Sequence, residues 1–451
     1  MTDKELISQQ QVHLATQSKQ IKLLEEKVLF LLSQLQNQSI KKDSHNSSLP
    51  PSSDIVSKPK NLRVASERKS GGQFGHKGTT LGMSGTPDKI IDLKSTFCSN
   101  CGQNLGDSVF SLKASRQVIE MPPIKPIYEE YRQYSCQCPR CQNQQIADFP
   151  AGVNAPIQYG SSVESLVSYF SVYQYIPFKR LQNIFSQVFS TPLSEGSVGN
   201  ILERSAQKCE GVYQVIKQQI AQSSVVGADE TGAKVNGAKW WIWVWQNLLN
   251  TFIIASDNRG FQTINSVWKY GLPNATLVSD RWAAQLKATV QNHQLCLAHL
   301  LRELIFLEES EKLPFATSFK ELIVSIFDTR KTLTKPYLQN SIEVLAFENV
   351  LNKLLLITID KQICPNTAVF QVSMIKYRNY LLPCLYNLDI PPDNNGSERA
   401  IRNVKIKQKV SGQFKTGQNA FCIIRSVIDT LLKRKLEVLP YLTQIIKLQP
   451  V

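Results

Sequence analysis

Three carboxylates sit where the sequence makes metal chemistry the natural reading. Residues 225–228 are a short apolar run that ends in Asp229, within the stretch VVGADETGAKVNGAKWWIWVWQN. A carboxylate at the end of a buried strand is costly to desolvate unless something binds it, and a divalent cation is the usual partner. Asp280 closes a second apolar run, residues 275–279. Glu398 follows the turn at 391–395, and Arg399, Arg402, Lys405, Lys407 and Lys409 come at once after it. A surface ion pair there would mean little. The same arrangement is also what a metal-dependent phosphodiester enzyme needs, a third acid for the cation with cations beside it to hold phosphates. Glu230 is the rival to Asp229. Neighbouring strand residues point to opposite faces, so one of the two serves the metal, and Asp229 is the choice.

A second metal chemistry is written in the cysteines. Cys98-x-x-Cys101 is followed 37 positions later by Cys138-x-x-Cys141. Each pair has the spacing with which two thiolates grip one tetrahedral Zn²⁺, and both lie in turn-rich sequence. β-type residues at 116–134 lie between them, as in a zinc ribbon. Cys136 is a fifth cysteine whose distance from Cys138 makes a poor knuckle. The N-terminus is polar and no run of about 18 apolar residues occurs, so neither export nor membrane insertion is expected. The ten cysteines are then expected in the reducing cytoplasm, where clustered thiols hold metal rather than form disulfides. Cys296-x-x-His299 is half a metal site. With no second half nearby, an orienting or packing role is the better reading.

The elements that must position these groups follow from pattern. A strand through Asp229, a Gly/Asn turn and an aromatic strand over 240–245 form a hairpin. A third strand at 251–256, a helix at 261–268 and a fourth strand at 275–279 follow. Three strands, a helix and a fourth strand match the first half of a ribonuclease H-like mixed sheet. There the first and fourth strands are parallel neighbours, which brings Asp229 beside Asp280. The expected class is α/β, with the catalytic domain at 223–451 interrupted by a helical insertion at about 300–385. Candidate helices of that block are 299–313, 315–333, 338–360 and 368–385.

Upstream, residues 1–40 carry heptads with Ile7, Leu14, Ile21, Val28 and Leu35 at one core position. A self-associating coiled coil is favoured over a helix folded back on the chain, and a homodimer would follow. Residues 41–96 read as a basic flexible linker, 97–150 as the zinc module and 151–222 as a helical, helix-turn-helix-like region. A plain packing role for those helices stays equally open, since Arg204, Lys208 and Asn200 make only a modestly basic face. Fifty-one Lys and Arg against 36 Asp and Glu give a net charge of +15. An excess of that size points to a polyanion, with nucleic acid first.

Nine segments in order resemble the insertion sequence 66 family of bacterial transposases. They are NSSLPPSSD (46–54), GGQFGHKG (71–78), the paired CxxC, APIQYG (155–160), ADETG (228–232), LVSD (277–280), CLAHLLREL (296–304), NNGSERAIR (394–402) and KQKVSGQFKTG (407–417). The resemblance implies a DDE triad falling on Asp229, Asp280 and Glu398, with two Mg²⁺ or Mn²⁺ ions. It implies cleavage of double-stranded DNA at the element's ends, strand transfer into a target, and a nucleoid-associated life in the cytoplasm. It also places Cys296 and His299 in a Cys/Asp-x-x-His signature beside the DDE site, and suggests accessory proteins from the same element. One departure is Arg281, which follows Asp280 where a small residue is usual. A repurposed DNA-binding repressor is the alternative, and a nuclease that cuts without joining would share the triad.

Overall fold

The computed structural model describes residues 81–448 and, before them, 16–22, 24–25, 27–28, 42–43, 46–47, 75 and 77–78. The heptads of 1–40 and the linker up to residue 80 lie for the most part outside the described residues. The described positions between 16 and 28 are helical, with Ile21, Leu24 and Val28 exposed. Among the described residues no helix is long and apolar enough to cross a membrane.

The zinc-module segment holds two short antiparallel strands, β1 (Ser135–Gln137) and β2 (Gln144–Ile146), which flank the second cysteine pair. The expected strands over 116–134 do not form. Ile119, Tyr128 and Tyr134 of that stretch are exposed, so their β propensity has no second layer to pack on.

Helices α1 (Ser161–Ser168), α2 (Phe178–Gln187) and α3 (Glu195–Ala221) come next. Ser194 caps α3 by accepting a hydrogen bond from the Ser197 N–H, as a Ser at that position should. The helix runs well past the expected end near Lys208. Cys209, Tyr213, Ile216 and Ile220 continue its buried stripe and pack on the sheet. Arg204 and Lys208, the basic residues of the supposed recognition face, both hold the buried Glu164, at 3.0 and 2.8 Å.

The central sheet has five strands: β3 (Val225–Val235), β4 (Ala238–Gln246), β5 (Thr251–Ser256), β6 (Leu272–Ser279) and β7 (Val290–Leu295). Their order is β5-β4-β3-β6-β7, antiparallel from β3 to β5 and parallel from β3 through β6 to β7. Strand β7 is not foreseen by the sequence. The short helices α4 (Phe261–Val267) and α5 (Ala283–Leu286) provide the crossovers. Alternation along β4 shows why both faces are covered. Trp243 and Trp245 join one core with α3, while Ile242 and Val244 join another on the opposite face, as period-two geometry requires.

Five helices follow β7: α6 (Leu297–Ser310), α7 (Pro314–Thr332), α8 (Ile342–Leu355), α9 (Pro365–Lys376) and α10 (Pro383–Tyr386). They enclose a core of their own around Leu304, Phe319 and Phe370, which meets the sheet at Val278 and Leu295. The chain then returns to the sheet through α11 (Asn395–Ser411), and ends in α12 (Gln418–Lys433) and α13 (Val438–Lys447).

Candidate functional site

Register fixes the first two acids. Gly227 pairs with Val278 in the parallel β3–β6 ladder, and Asp229 and Asp280 each lie two residues further along. Both therefore lie side by side just past the end of that ladder; Asp280 follows β6, but β3 continues to Val235, so Asp229 sits within its strand and not at the strand end expected from the sequence. Burial comes first among the causes that hold the Asp229 carboxyl well above the ordinary carboxylate range. The negative charges of Asp280, Glu230 and Glu398 push the same way. Against them stands one hydrogen bond, from the Glu230 N–H at 2.9 Å. Burial likewise raises Asp280, opposed by the Trp282 N–H at 2.9 Å and by the charges of Arg259 and Arg281.

Glu230 lies in a buried pocket, where burial and then the nearby charge of Asp280 raise its carboxyl. Its side chain is 1% exposed and accepts from Arg259 at 3.0 Å and from Gln285 at 3.1 Å. The Arg259 guanidinium lies between the rings of Trp241 and Trp282, 4.5 and 3.8 Å from their centroids. A carboxylate so thoroughly engaged is a poor metal ligand compared with its neighbour.

Glu398 is delivered by the N-terminus of α11, and glycines let that helix come close. A Cβ on Gly227 would lie 2.8 Å from Ser397 Oγ and 2.9 Å from Asn394 Oδ1, and one on Gly396 would lie 2.5 Å from Gln246 Nε2. Asn394 seals the contact by donating its amide to the Ala228 carbonyl at 2.7 Å, and its own N–H reaches Cys296 Sγ at 3.2 Å. Glu398 Oε1 then receives Arg302 at 3.2 Å and faces His299 Nδ1 at 3.7 Å. Cys296, His299 and Glu398 are the one group of three, among the described residues, whose ligand atoms all lie within 4.8 Å of one another. Burial pushes the Cys296 thiol up to about 12 and the His299 imidazole down to about 3, the latter helped by Arg302. Both are neutral near pH 7.

Asp229 thus feels the charges of both Asp280 and Glu398, while the three carboxylates do not close into a cluster as tight as that one. Hard oxygen donors, partly buried and mutually repelling, are the donor set that a hard divalent cation satisfies. The residues fit such an ion.

Of the five basic residues after Glu398, the helix divides the set. Arg399, Arg402 and Lys409 are exposed. Lys407 falls on the inward stripe with Ala400 and Val404, where it is 9% exposed with its ammonium over the Phe178 ring. Lys405 gives its ammonium to the Gly232 carbonyl at 3.1 Å. The 3.6-residue period thus turns Arg399, Arg402 and Lys409 outward, while the ammonium groups of Lys405 and Lys407 are engaged within the protein. Arg259, Arg302, Asn394 and Gln246 escaped the sequence reading. For Asn394 the signal was present in the NNGSER turn, but the others act through contacts far along the chain.

Each cysteine pair is built as a knuckle. The Cys98 carbonyl accepts the Gly102 N–H at 2.9 Å, and the Cys138 carbonyl accepts the Gln142 N–H at 2.8 Å. N–H groups of Cys101 and then Asn100 lower the Cys98 thiol, and those of Cys141 and then Arg140 lower Cys138. Such donors favour thiolates, the form that binds zinc. No three of the four sulfurs lie within 4.8 Å of one another. Cys136 is exposed.

Comparison with known families matches three segments. Residues 6–81 match a family of unknown function, DUF6444, and residues 95–142 match the zinc-finger binding domain of transposase IS66. A search of curated proteins finds no match. The match over residues 156–421, more than half the chain, is to the transposase IS66 family. With a five-stranded mixed sheet carrying Asp229 and Asp280 just past the β3–β6 ladder and a zinc-finger domain before it, the chain belongs to the IS66 family of transposases.

Proposed function

We propose that this chain cuts DNA at the ends of an insertion sequence and joins the freed ends to a target, using Asp229, Asp280 and Glu398 as a DDE triad. The observation that carries this reading is the register of β3 on β6, which sets two acids side by side, with a third brought over them by α11. The strand order, three antiparallel strands followed by two parallel ones, supports a ribonuclease H-like core with its helical insertion between β7 and α11.

Mg²⁺ or Mn²⁺ held by the three acids would supply the Lewis acidity that such displacements need, activating the attacking oxygen and stabilising the leaving one. The protein's own groups do the rest. Arg302 holds Glu398 at one oxygen at 3.2 Å, with the neutral His299 ring beside it. Arg399, Arg402 and Lys409 line the exposed face of α11 and hold phosphates of the strand, so binding weakens steeply with salt. Arg281, the residue that departs from the family pattern, is paired with Glu303 and lies 5.3 Å from the Phe370 ring centroid. Its charge is therefore largely answered, which supports an active enzyme over a repressor. Zn²⁺ on Cys98, Cys101, Cys138 and Cys141 would order a module that otherwise buries almost nothing. Pairing of two ends would use a homodimer through residues 1–40.

The reading is tested by Asp229→Ala in the full chain, on DNA carrying the gene's flanking repeats. Cleavage should vanish while binding stays. Loss of binding as well would remove Asp229 from the catalytic role.

A further inference from the structure

The tip of the β3–β4 hairpin carries charge that the fold leaves unanswered. Asn236 and Gly237 both have positive φ, 46° and 79°, as in the two-residue turns that suit the twist of a hairpin. Val235 and Ala238 close the turn, and the next pair across the ladder is Lys234 with Lys239. Directly opposed strand residues have Cβ atoms about 4.5–5.5 Å apart, and like charges placed there repel. An acid beside them would remove the repulsion, but residues 231–256 contain none. The Lys239 ammonium lies 5.1 Å from the Trp241 ring centroid, a contact that leaves its charge in place.

A third lysine joins them from the segment KQKVSGQFKTG, whose second half takes no part in the acid site. Between α11 and α12 the chain turns at Gly412 and Gly417, with φ of 76° and 77°, and lays residues 413–415 along the end of β3. The Phe414 N–H donates to the Lys234 carbonyl at 2.9 Å and the Asn236 N–H to the Phe414 carbonyl at 2.7 Å. The Gly237 N–H donates to Gln413 Oε1 at 2.8 Å. Val235 and Phe414 are partners in this bridge and bury their side chains in the same core. By alternation Lys234 and Lys415, their neighbours in sequence, emerge on the opposite face, as does Lys239 across the ladder. All three lysines are exposed, and none enters an ion pair among the described residues. Glu203 comes near the loop at Gly417 without pairing with any of them.

We infer that Lys234, Lys239 and Lys415 form a second contact for the DNA backbone, separate from the basic face of α11. They stand on three adjacent, hydrogen-bonded segments, spaced about 4.8 Å apart, and a polyanion laid across them relieves the repulsion built into the hairpin. Lys234 lies five residues beyond Asp229 in β3, roughly 16 Å at the usual rise per residue, and on the other face of the strand. A duplex gripped there is held clear of the acids, about half a helical turn of B-DNA away from them. The contact rests on the DNA-cutting reading for its partner, and lysines that meet phosphate carry no base preference.

The test is the salt dependence of DNA binding by the full chain, with no Mg²⁺ added, for Lys234→Gln/Lys239→Gln/Lys415→Gln beside the wild type. Two duplexes are used, one bearing the flanking repeats and one of unrelated sequence. The slope of log K against log salt should fall by about 2.7 on both, the share of three phosphates. The variant should melt no lower than the wild type, because the charges it loses repel one another. Lysine acetylation read by mass spectrometry should show the three side chains protected in the wild type by either duplex. An unchanged slope overturns the contact, and so does a fall confined to the repeat-bearing duplex, which a grip on phosphate alone does not produce. A variant that melts lower assigns the lysines to the fold and overturns it as well. A protein that shows the fall in slope but never cuts in Mg²⁺ defeats the catalytic reading and spares this contact. One that cuts while the slope stays unmoved does the reverse.

Discussion

Gly396→Ala should cripple cleavage through one displaced side chain. An added Cβ would lie 2.5 Å from Gln246 Nε2, 2.9 Å from Cδ and 3.0 Å from Oε1, where ordinary contact begins near 3.4 Å. The amide cannot swing aside freely, because Lys433 grips its Oε1 at 2.6 Å while also bonding the carbonyls of Asn247 and Asn250. The start of α11 must therefore lift from the sheet by about 0.9 Å, carrying Glu398 with it. A shift near 1 Å in a catalytic group costs roughly 10²-fold in rate. Overpacking of this kind costs about 1–3 kcal/mol of stability, against about 1 kcal/mol that alanine gains over glycine inside a helix. The folded fraction therefore survives. The assay is Mg²⁺-dependent cleavage of end-bearing DNA, beside thermal unfolding. Gln246→Ala removes the obstructing amide, so Gly396→Ala/Gln246→Ala should recover at least tenfold of the lost rate, a coupling of about 1.4 kcal/mol. Gly227→Ala should gain no such rescue, since its Cβ also meets Ser397 and Asn394. Full activity in Gly396→Ala, or a double variant no better than the single one, would refute the reasoning.

The charged groups make further predictions. Asp229→Asn should raise the melting temperature of the metal-free protein by relieving repulsion with Asp280 and Glu398. It should also lose most of the gain that Mg²⁺ gives the wild type, by mass action on the folded state; an equal gain in both would place the ion elsewhere. Arg402→Ala should reduce the slope of log K against log salt by about 0.9, one phosphate's share, whereas Lys407→Met should leave it unchanged. Burial depresses Lys407 to about 8 from an ordinary 10.5. Its contribution to stability is thus present above pH 10.5 and lost as pH falls through about 8. Lys407→Met should be the more stable protein at pH 7, by about 3 kcal/mol at most, with the advantage shrinking as pH rises to 10. Denaturation curves at the two pH values decide it, and a constant difference would deny that the buried charge is the cause. Cobalt(II) should give a thiolate charge-transfer band that Cys98→Ser or Cys138→Ser abolishes. Cys136→Ser should preserve it, and loss of the band there would bring Cys136 into the ligand set.

The hairpin, β5 and the helical block were legible because their signals are local. Aromatic and β-branched runs mark strands, and 3.6-residue stripes mark helices. Strand β7 was not, for its sequence VQNHQL is polar and takes strand form through parallel pairing with β6. Gln294, wholly buried, is satisfied from afar by the carbonyl of Leu381 and the N–H of Cys384, contacts no window of sequence contains. The acids could be chosen from the apolar runs they close and from spacing, although β3 continues past Asp229 to Val235. The glycines that bring α11 onto the sheet, and Arg302 that holds Glu398, depend on distances between segments far apart in the chain. Lys407 illustrates the converse. A run of basic residues reads as one face until the helix sorts it, and two of its members turn inward.

The most direct test of the catalytic assignment compares wild type with Glu398→Gln for cutting and joining of DNA that carries the flanking repeats, in Mg²⁺ and in Mn²⁺. The amide keeps the shape of the side chain but gives up the charge. Metal-dependent cleavage and joined products in the wild type, both lost in the variant while DNA binding persists, are the predicted result. Equal cleavage by the two proteins would remove Glu398, and with it the triad, from the account.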